Sequence, residues 1–447
     1  MKYLLMAFAF LLPLHALLVT TLKCKFGVNT DILRFWKEFI VIFLSGAAFY
    51  SVGKRYKWKL SKFFEGNYIV GLSITFAVIA FIYMFFPFFK PGIHSYLGFK
   101  YDVFFFFCLI IGYSLIAVRT HFDAILKALF ASTAIILCVF LPWYLFFDIS
   151  AVSTLFWYSS EVSTYTANAC ISFSQNVEWQ HRFQATFGWP IRFSVFLIVW
   201  LFVYIWFILD KKLSKKATLL LLIIPSILVF TSVFYSYSKT SMLGFAVGIF
   251  LFFIITRKYI FEKELSEKQA RIVKFFPAVL VFTAAALVFI KRDLFLHMWA
   301  MINRLDNLER AVGMFLYNPI GYGVGTAWPA TQLGQSVEGY TFKWAANAVE
   351  VFKYLPENWY VQMLVEMSFL WLWLFLWIII LIGYYLLGIL KVKKDFLSAG
   401  ILTSFVTLCF MANFTHAFEE AATSFLFFLI IWAYIGKNKW MIKKSEQ

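Results

Sequence analysis

The chain has 447 residues, of which 62% are hydrophobic and 14% charged, with a mean hydropathy of +0.79. That balance excludes a soluble globular domain, in which about 25% of residues are charged. The net charge of +17 does not point to nucleic acid, because most Lys and Arg fall in short loops between apolar runs, where membrane orientation accounts for them.

Apolar runs long enough to cross a hydrocarbon layer of about 30 Å recur from end to end. Met1-Lys2 and the stretch to Leu22 resemble a signal peptide but lack a small-x-small cleavage site, so they read as an uncleaved first span. The predicted spans are 3–22, 38–53, 67–88, 101–117, 124–147, 192–209, 217–235, 239–256, 272–290, 360–390, 396–413 and 421–436. The expected fold class is an all-α polytopic membrane protein of about 12 transmembrane helices, a single integral membrane domain over 1–447. The 58 Phe are expected to be lipid-facing bulk without functional weight. Five Cys show no CxxC or metal-ligand spacing, and Cys24 and Cys170 are a candidate pair if both face an oxidising compartment.

Charge alternation orients the list. Loops after even-numbered spans carry Lys54, Arg55 and Lys57; Arg119; Lys211, Lys212, Lys215 and Lys216; Arg257 and Lys258; Lys391, Lys393 and Lys394; then Lys437 and Lys439. These loops and both termini are expected to be cytoplasmic. The two longest connections, 148–191 and 291–359, then lie outside, and loops of that length between packed spans usually carry function.

In the first loop, Gln180-His181-Arg182 and Arg192 flank Thr186-Phe187-Gly188-Trp189-Pro190. In the second, Met301, Leu305, Leu308, Val312 and Phe315 recur at helical spacing, predicting an amphipathic helix from His297 to Asn318 with Arg304 beside its apolar stripe. Arg304 would lie at the level of lipid phosphates and lipid-linked pyrophosphates, or snorkel to ordinary headgroups. Gly321, Gly323 and Gly325 follow Pro319. They do not form a nucleotide loop, since a helix precedes them and no Lys-Ser/Thr follows, so they serve a tight turn or a close backbone approach. A second loop helix, Phe342 to Tyr354, leads to Pro356-Glu357-Asn358, where Glu357 at the outer mouth of the tenth span is either a proton acceptor or a helix cap. Glu366 lies about two turns deeper, where an ionisable group ordinarily has a partner, and Lys239 at the start of the eighth span is one candidate. His416, Glu419 and Glu420 crowd the last outer turn, and no H-E-x-x-H or comparable cluster calls for a metal.

These stretches, in this order, resemble the O-antigen ligase and O-antigen polymerase superfamily of bacterial envelope glycosyltransferases. Arg182 to Pro190 resembles the family's Arg-x-x-Gly-Thr-Phe-x-x-Pro segment, and Tyr237-Ser238-Lys239-Thr240 its Ser-Arg motif opening a helix. Arg304 to Gly325 resembles its Arg-x3-Trp-x2-Ala helix with Pro-x-x-Gly-x-Gly. Glu357-Asn358-Trp359-Tyr360 with Leu364-Val365-Glu366 resembles its His-Asn-x-Tyr and Leu-x-Glu-x-Gly stretch. The match runs from about 180 to 370, and the earlier spans agree in hydropathy alone. Ala185 stands for a family Gly, Lys239 for Arg and Leu308 for Trp. Glu357, Ser368 and Trp371 replace the ligase signature, which favours a polymerase or a related enzyme.

The resemblance implies transfer of a glycan from undecaprenyl diphosphate to a sugar hydroxyl of a second lipid-linked glycan, by inversion and without a cofactor or metal. It implies Arg182 and Arg304 on the diphosphate, Glu357 as base, and Arg192, Lys239, Asn358, Tyr360, Glu366, Gly321 and Gly323 in support. Partners so implied are the lipid-linked oligosaccharide, the acceptor glycan, a chain-length regulator and membrane lipids, at the bacterial inner membrane with an external site, in lipopolysaccharide biosynthesis. Transfer to lipid A core or to protein are the alternatives among enzymes. A flippase is the alternative of another class; transporters show internal repeats, broken helices and midplane ionisable groups, whereas here no repeat is seen and the polar residues cluster in outer loops.

Overall fold

The computed structural model describes residues 1–28, 33–59, 68–85, 93–146, 176–177, 180–187, 190–211, 213–259, 299–325 and 358–445. In chain order its α-helices are α1 (Lys2–Leu11), α2 (His15–Phe26), α3 (Trp36–Arg55), α4 (Tyr68–Tyr83), α5 (Ile93–Ser114), α6 (Ile116–Thr120) and α7 (Phe122–Phe146). They continue as α8 (Pro190–Leu209), α9 (Lys215–Tyr235), α10 (Lys239–Tyr259), α11 (Trp299–Tyr317), α12 (Trp359–Lys393), α13 (Phe396–Met411) and α14 (Ala421–Ser445). A two-residue antiparallel ladder pairs Asn176 with His181 and delivers the chain to Arg182.

Among the described residues eight helical stretches are long and apolar enough to span a membrane, Lys2–Leu22 counting as one across a short 3-10 turn at Leu12–Leu14. The membrane class is as expected; the described residues do not confirm the count of twelve. Helices α4 and α13 are apolar but shorter, α3 carries Lys37, Glu38, Lys54 and Arg55, and the predicted span 272–290 lies outside the described residues.

The turns obey local rules. Ser214 caps α9 by accepting from Ala217 N, Asp395 caps α13 by accepting from Ser398 N at 2.8 Å, and Gly27 closes α2 at φ +62. Helix α14 is buried on every face from Ala421 to Ile435 and packs on α5, while α8 packs on α13.

Phenylalanine serves this centre as well as the lipid face. Phe39, Phe43 and Phe250 are exposed, but Phe76, Phe105, Phe106, Phe375, Phe418 and Phe428 are buried together in edge and tilted ring contacts. The expectation of lipid-facing bulk therefore covers only part of them. Offset and edge-on rings contribute about 0.5–1.5 kcal/mol per pair beyond area burial, which matters where no water drives helices together.

The largest departure from the predicted spans is in α12. Ser368 has φ +76 and ψ 173, so the helix breaks there. In a straight helix Trp359 and Phe375 would stand about 24 Å apart along the axis. Their ring centroids are 4.4 Å apart, so residues 359–367 fold back as a re-entrant arm against the spanning arm 369–393. The fold-back sets the level of everything around it.

Candidate functional site

One end of the bundle gathers the tip of α12, the ends of α4 and α9 and the starts of α5, α8 and α10. Main-chain hydrogen bonds hold it together: Trp359 N donates to Ala412 O at 3.0 Å, Phe183 N to Tyr235 O at 2.8 Å, and Val324 N to Tyr83 O at 3.3 Å.

The re-entrant arm starts with Asn358, whose Oδ1 accepts from Tyr360 N at 3.0 Å and Val361 N at 3.2 Å. Asn358 is thus the helix cap, a role the sequence left open for Glu357, and Glu357 lies outside the described residues. Tyr360 donates to Cys409 O at 2.8 Å and ties the arm to α13. Trp359 is fully buried against Phe375 and Phe418, so the N-terminus of the arm points into the bundle rather than to its outer mouth. A half-helix directed inward presents its positive dipole end to whatever enters.

The glycine segment lies along the other end of the arm. Tyr322 N donates to Val365 O at 3.0 Å and Gly323 N to Glu366 O at 2.9 Å. Gly321 has φ +94, and a Cβ there would stand 2.6 Å from Glu366 O, so the close backbone approach expected of these glycines is made to the broken helix itself. Gly323 has φ +102. Tyr83 donates to Ile320 O at 3.1 Å from the opposite side. Burial pushes the Tyr322 phenol up, and it stays a neutral donor to Met314 O at 3.3 Å.

Helix α11 confirms the predicted amphipathic element to within two residues at each end, with Arg304 in its second turn. Its packed face is rotated from the expected stripe. Ala311 and Met314 rest on Val361, Val365 and Tyr322, whereas Leu305 and Val312 are exposed. The Arg304 side chain and the predicted helix 342–354 fall outside the described residues, as do Cys170 and the side chain of Cys24.

Arg182 donates from Nε to Ser236 O at 2.8 Å, which fixes the first motif on the end of α9. Gln184 and Thr186 behind it are buried, Thr186 reaching Pro13 O at 2.8 Å. Ser238 accepts from Ser241 Oγ at 2.8 Å, and Ser241 in turn contacts Ser194 at 2.5 Å, so α8 and α10 are pinned beside Lys239, the first residue of α10. Burial pushes the Tyr237 phenol up. Arg192 lies 3.8 Å from Glu419 and 3.6 Å from Glu420, and His416 stands 3.3 Å from Glu419.

One neighbour of Glu366 is Asp102 of α5, which is also under the influence of Glu419. Both carboxyls are 0% exposed. Alongside, Glu38 meets Lys100 at 2.8 Å and Lys37 at 3.4 Å, and Lys37 contacts His15 at 2.8 Å. The first 110 residues, which the sequence linked to the family through hydropathy alone, therefore contribute His15, Lys37, Glu38, Lys100 and Asp102 to the same end of the bundle. Their signal was present as charges inside apolar runs, where an ionisable group is costly enough to imply a purpose.

The comparisons with known proteins reach only part of this end of the bundle. Residues 224–376, about a third of the chain, match the family model described as O-antigen ligase, a family of glycosyltransferase-like enzymes. The matched stretch includes α10, α11, the glycine segment and the re-entrant arm. No curated protein and no solved structure matches the chain. The resemblance carried by the motifs is thus borne out: the match of residues 224–376 to the O-antigen ligase model supports the O-antigen ligase and polymerase superfamily.

Proposed function

We propose that the protein is a polysaccharide polymerase of the O-antigen type, transferring a glycan from undecaprenyl diphosphate to a sugar hydroxyl of a second lipid-linked glycan. The observation that carries this reading is the coincidence of the family match with the seat formed by the glycine segment, α11 and the re-entrant arm. A polyprenyl diphosphate is already a good leaving group, so the reaction needs charge stabilisation and positioning more than strong acid chemistry. Guanidinium binds phosphate oxygens through two parallel hydrogen bonds and stays charged, which suits Arg182 and Arg304 to hold the diphosphate without a metal. Glu357 takes the proton of the attacking hydroxyl, with inversion at the anomeric carbon. Arg192, Lys239, Tyr360 and Glu366 shape the surrounding network. The Lys- and Arg-rich loops lie at the opposite end of the bundle, which supports cytoplasmic termini and an external site in the bacterial inner membrane.

The description of the matched family favours a second reading, ligation to lipid A core, while Glu357, Ser368 and Trp371 stand where the ligase signature has other residues. A broken helix beside buried carboxyls also occurs in transporters, but here it lies within the matched segment, which points to transfer. Chain-length analysis of surface glycan in a deletion strain separates the readings. Loss of a polymerase leaves single-repeat product, loss of a ligase accumulates the lipid-linked form, and loss of a flippase leaves neither outside. Arg304→Ala or Glu357→Gln should cut polymerisation by about 100- to 1000-fold at unchanged protein level. Near-normal chain length in both refutes the assigned roles.

A further inference from the structure

The glycine segment is bonded on two sides. Toward the re-entrant arm, Tyr322 N donates to Val365 O at 3.0 Å and Gly323 N to Glu366 O at 2.9 Å. Toward α4, one residue holds both ends of the segment: the Tyr83 hydroxyl donates to Ile320 O at 3.1 Å, and the Tyr83 carbonyl accepts from Val324 N at 3.3 Å. Gly321 N is taken within the turn by Asn318 O at 3.1 Å. The four consecutive amides of 321–324 are therefore all committed to protein carbonyls, whereas a phosphate-binding turn needs successive amides that face the anion. The segment works as a joint between helices, and anion binding falls to side chains.

Tyr83 also reaches past the helix break. Its ring meets Trp371 edge-on with centroids 5.9 Å apart, and Phe76, two turns earlier on α4, meets the same indole at 5.5 Å. Trp371 stands three residues after Ser368, and Val365 and Glu366 stand three and two before it. One side chain thus touches the spanning arm through its ring and the re-entrant arm through the glycine segment. A break interrupts the i→i−4 bonds that would set the angle between the two halves, so tertiary contacts must set it. Tyr83 lies outside the matched stretch 224–376.

We propose that Tyr83 is a positioning residue that braces the break at Ser368 and fixes the angle at which the re-entrant arm, with Asn358 and Tyr360 near its tip, stands in the bundle. Phenylalanine at 83 keeps the ring on Trp371 and the carbonyl on Val324 N, and gives up only the bond to Ile320 O. Alanine gives up the ring as well. Ile320 is 55% exposed, so water replaces the lost donor at its carbonyl and the protein stays folded. What changes is where the arm stands, and a misplacement of about 1 Å at a reacting centre can cost about 100-fold in rate.

The proposal rests on the transfer reading for its activity readout alone. Full-length wild type, Tyr83→Phe and Tyr83→Ala are purified in detergent, and amide hydrogen exchange is followed by mass spectrometry. In Tyr83→Phe, exchange over 320–324 and 359–367 should speed up by about fivefold or more, while 426–434 in the buried part of α14 stays as in wild type. The thermal midpoint should move by no more than a few degrees. Polymerisation of lipid-linked repeat units should show kcat lower by about tenfold in Tyr83→Phe with KM within about twofold, and a larger kcat loss in Tyr83→Ala. Unchanged exchange in Tyr83→Phe, or faster exchange throughout the chain, overturns the brace. Local loosening with a normal kcat, or a change confined to KM, overturns the positioning role. If the wild type shows the protected segment and its loosening in Tyr83→Phe but does not polymerise, the transfer reading fails and the brace stands.

Discussion

At the end of the bundle where α7 begins and α8 finishes, Lys211 meets Asp123 at 2.7 Å with 36% and 52% of the two side chains exposed. At the opposite end Lys100 meets Glu38 at 2.8 Å with 11% and 1% exposed. The distances are alike and the surroundings are not. The first pair sits largely in solvent. Such pairs contribute about 0–1 kcal/mol and can be exchanged freely. The second belongs to a largely buried cluster in which Glu38 meets Lys37 and Lys100, Arg192 meets Glu419 and Glu420, and Asp102 lies beside Glu366 and Glu419. Burying so many charges is expensive, and a bundle that only needed to stand in a membrane would use leucine there. The contrast supports the proposed placement of the chemistry at the end that holds Glu38 and Lys100.

The sharpest way to break the contrast is to neutralise one acid at each end. Glu38→Gln leaves the Lys37 and Lys100 ammonium groups buried and facing each other, and should destabilise the protein by about 3–5 kcal/mol. Asp123→Asn should cost no more than about 1 kcal/mol. Thermal midpoints in detergent, with membrane abundance as a check, decide it. Similar small losses in both would mean that the buried end is solvated and that the comparison has no force.

A smaller effect is expected where the seat depends on backbone rather than charge. Gly321→Ala forces a Cβ to within 2.6 Å of Glu366 O at a φ of +94, so the glycine segment must leave the arm. The strain alone is about 1–2 kcal/mol, and polymer yield should fall by about tenfold or more. Gly313→Ala, in α11 with nothing within 4 Å of the added atom, should leave yield unchanged. A Gly321→Ala protein with normal yield would detach the seat from the reaction.

How much of this was legible beforehand follows from what each feature depends on. Spans such as Phe122–Phe146 and Lys215–Tyr235 follow from hydropathy, and α11 from its spacing, because a single helix carries its own pattern. The re-entrant arm was not legible: Trp359 to Lys393 is apolar throughout, and hydropathy does not distinguish one long span from a helix folded onto itself. The face of α11 that packs was misread for a related reason, since Ala311 is buried by the shape of Tyr322 and Val365 rather than by its own hydrophobicity. The Asp102–Glu366 contact joins residues 264 positions apart and belongs to tertiary structure alone.

One signal for the broken arm was nevertheless in the sequence, at Ser368, and a parallel one stands at Ala185, both places where this chain departs from the family pattern it resembles. Ala185 stands for the glycine of the Arg-x-x-Gly-Thr-Phe segment and Ser368 for that of the Leu-x-Glu-x-Gly stretch, and the two residues have φ +46 and +76. Both residues have the positive φ that glycine adopts without a steric penalty, and here a side chain bears it. Restoring glycine should therefore relieve strain locally: about 1 kcal/mol or slightly more at Ser368, whose ψ of 173 puts it in a region that side chains rarely visit, and less at Ala185. The gain is partly offset because glycine also frees the unfolded chain, so each thermal midpoint should rise by only a few degrees. Ser368→Val, bulky and β-branched at the same φ, should lower it. A midpoint that falls on Ser368→Gly would show that the Ser368 hydroxyl contributes more than its backbone costs, and would make that residue part of the site's chemistry rather than of its geometry.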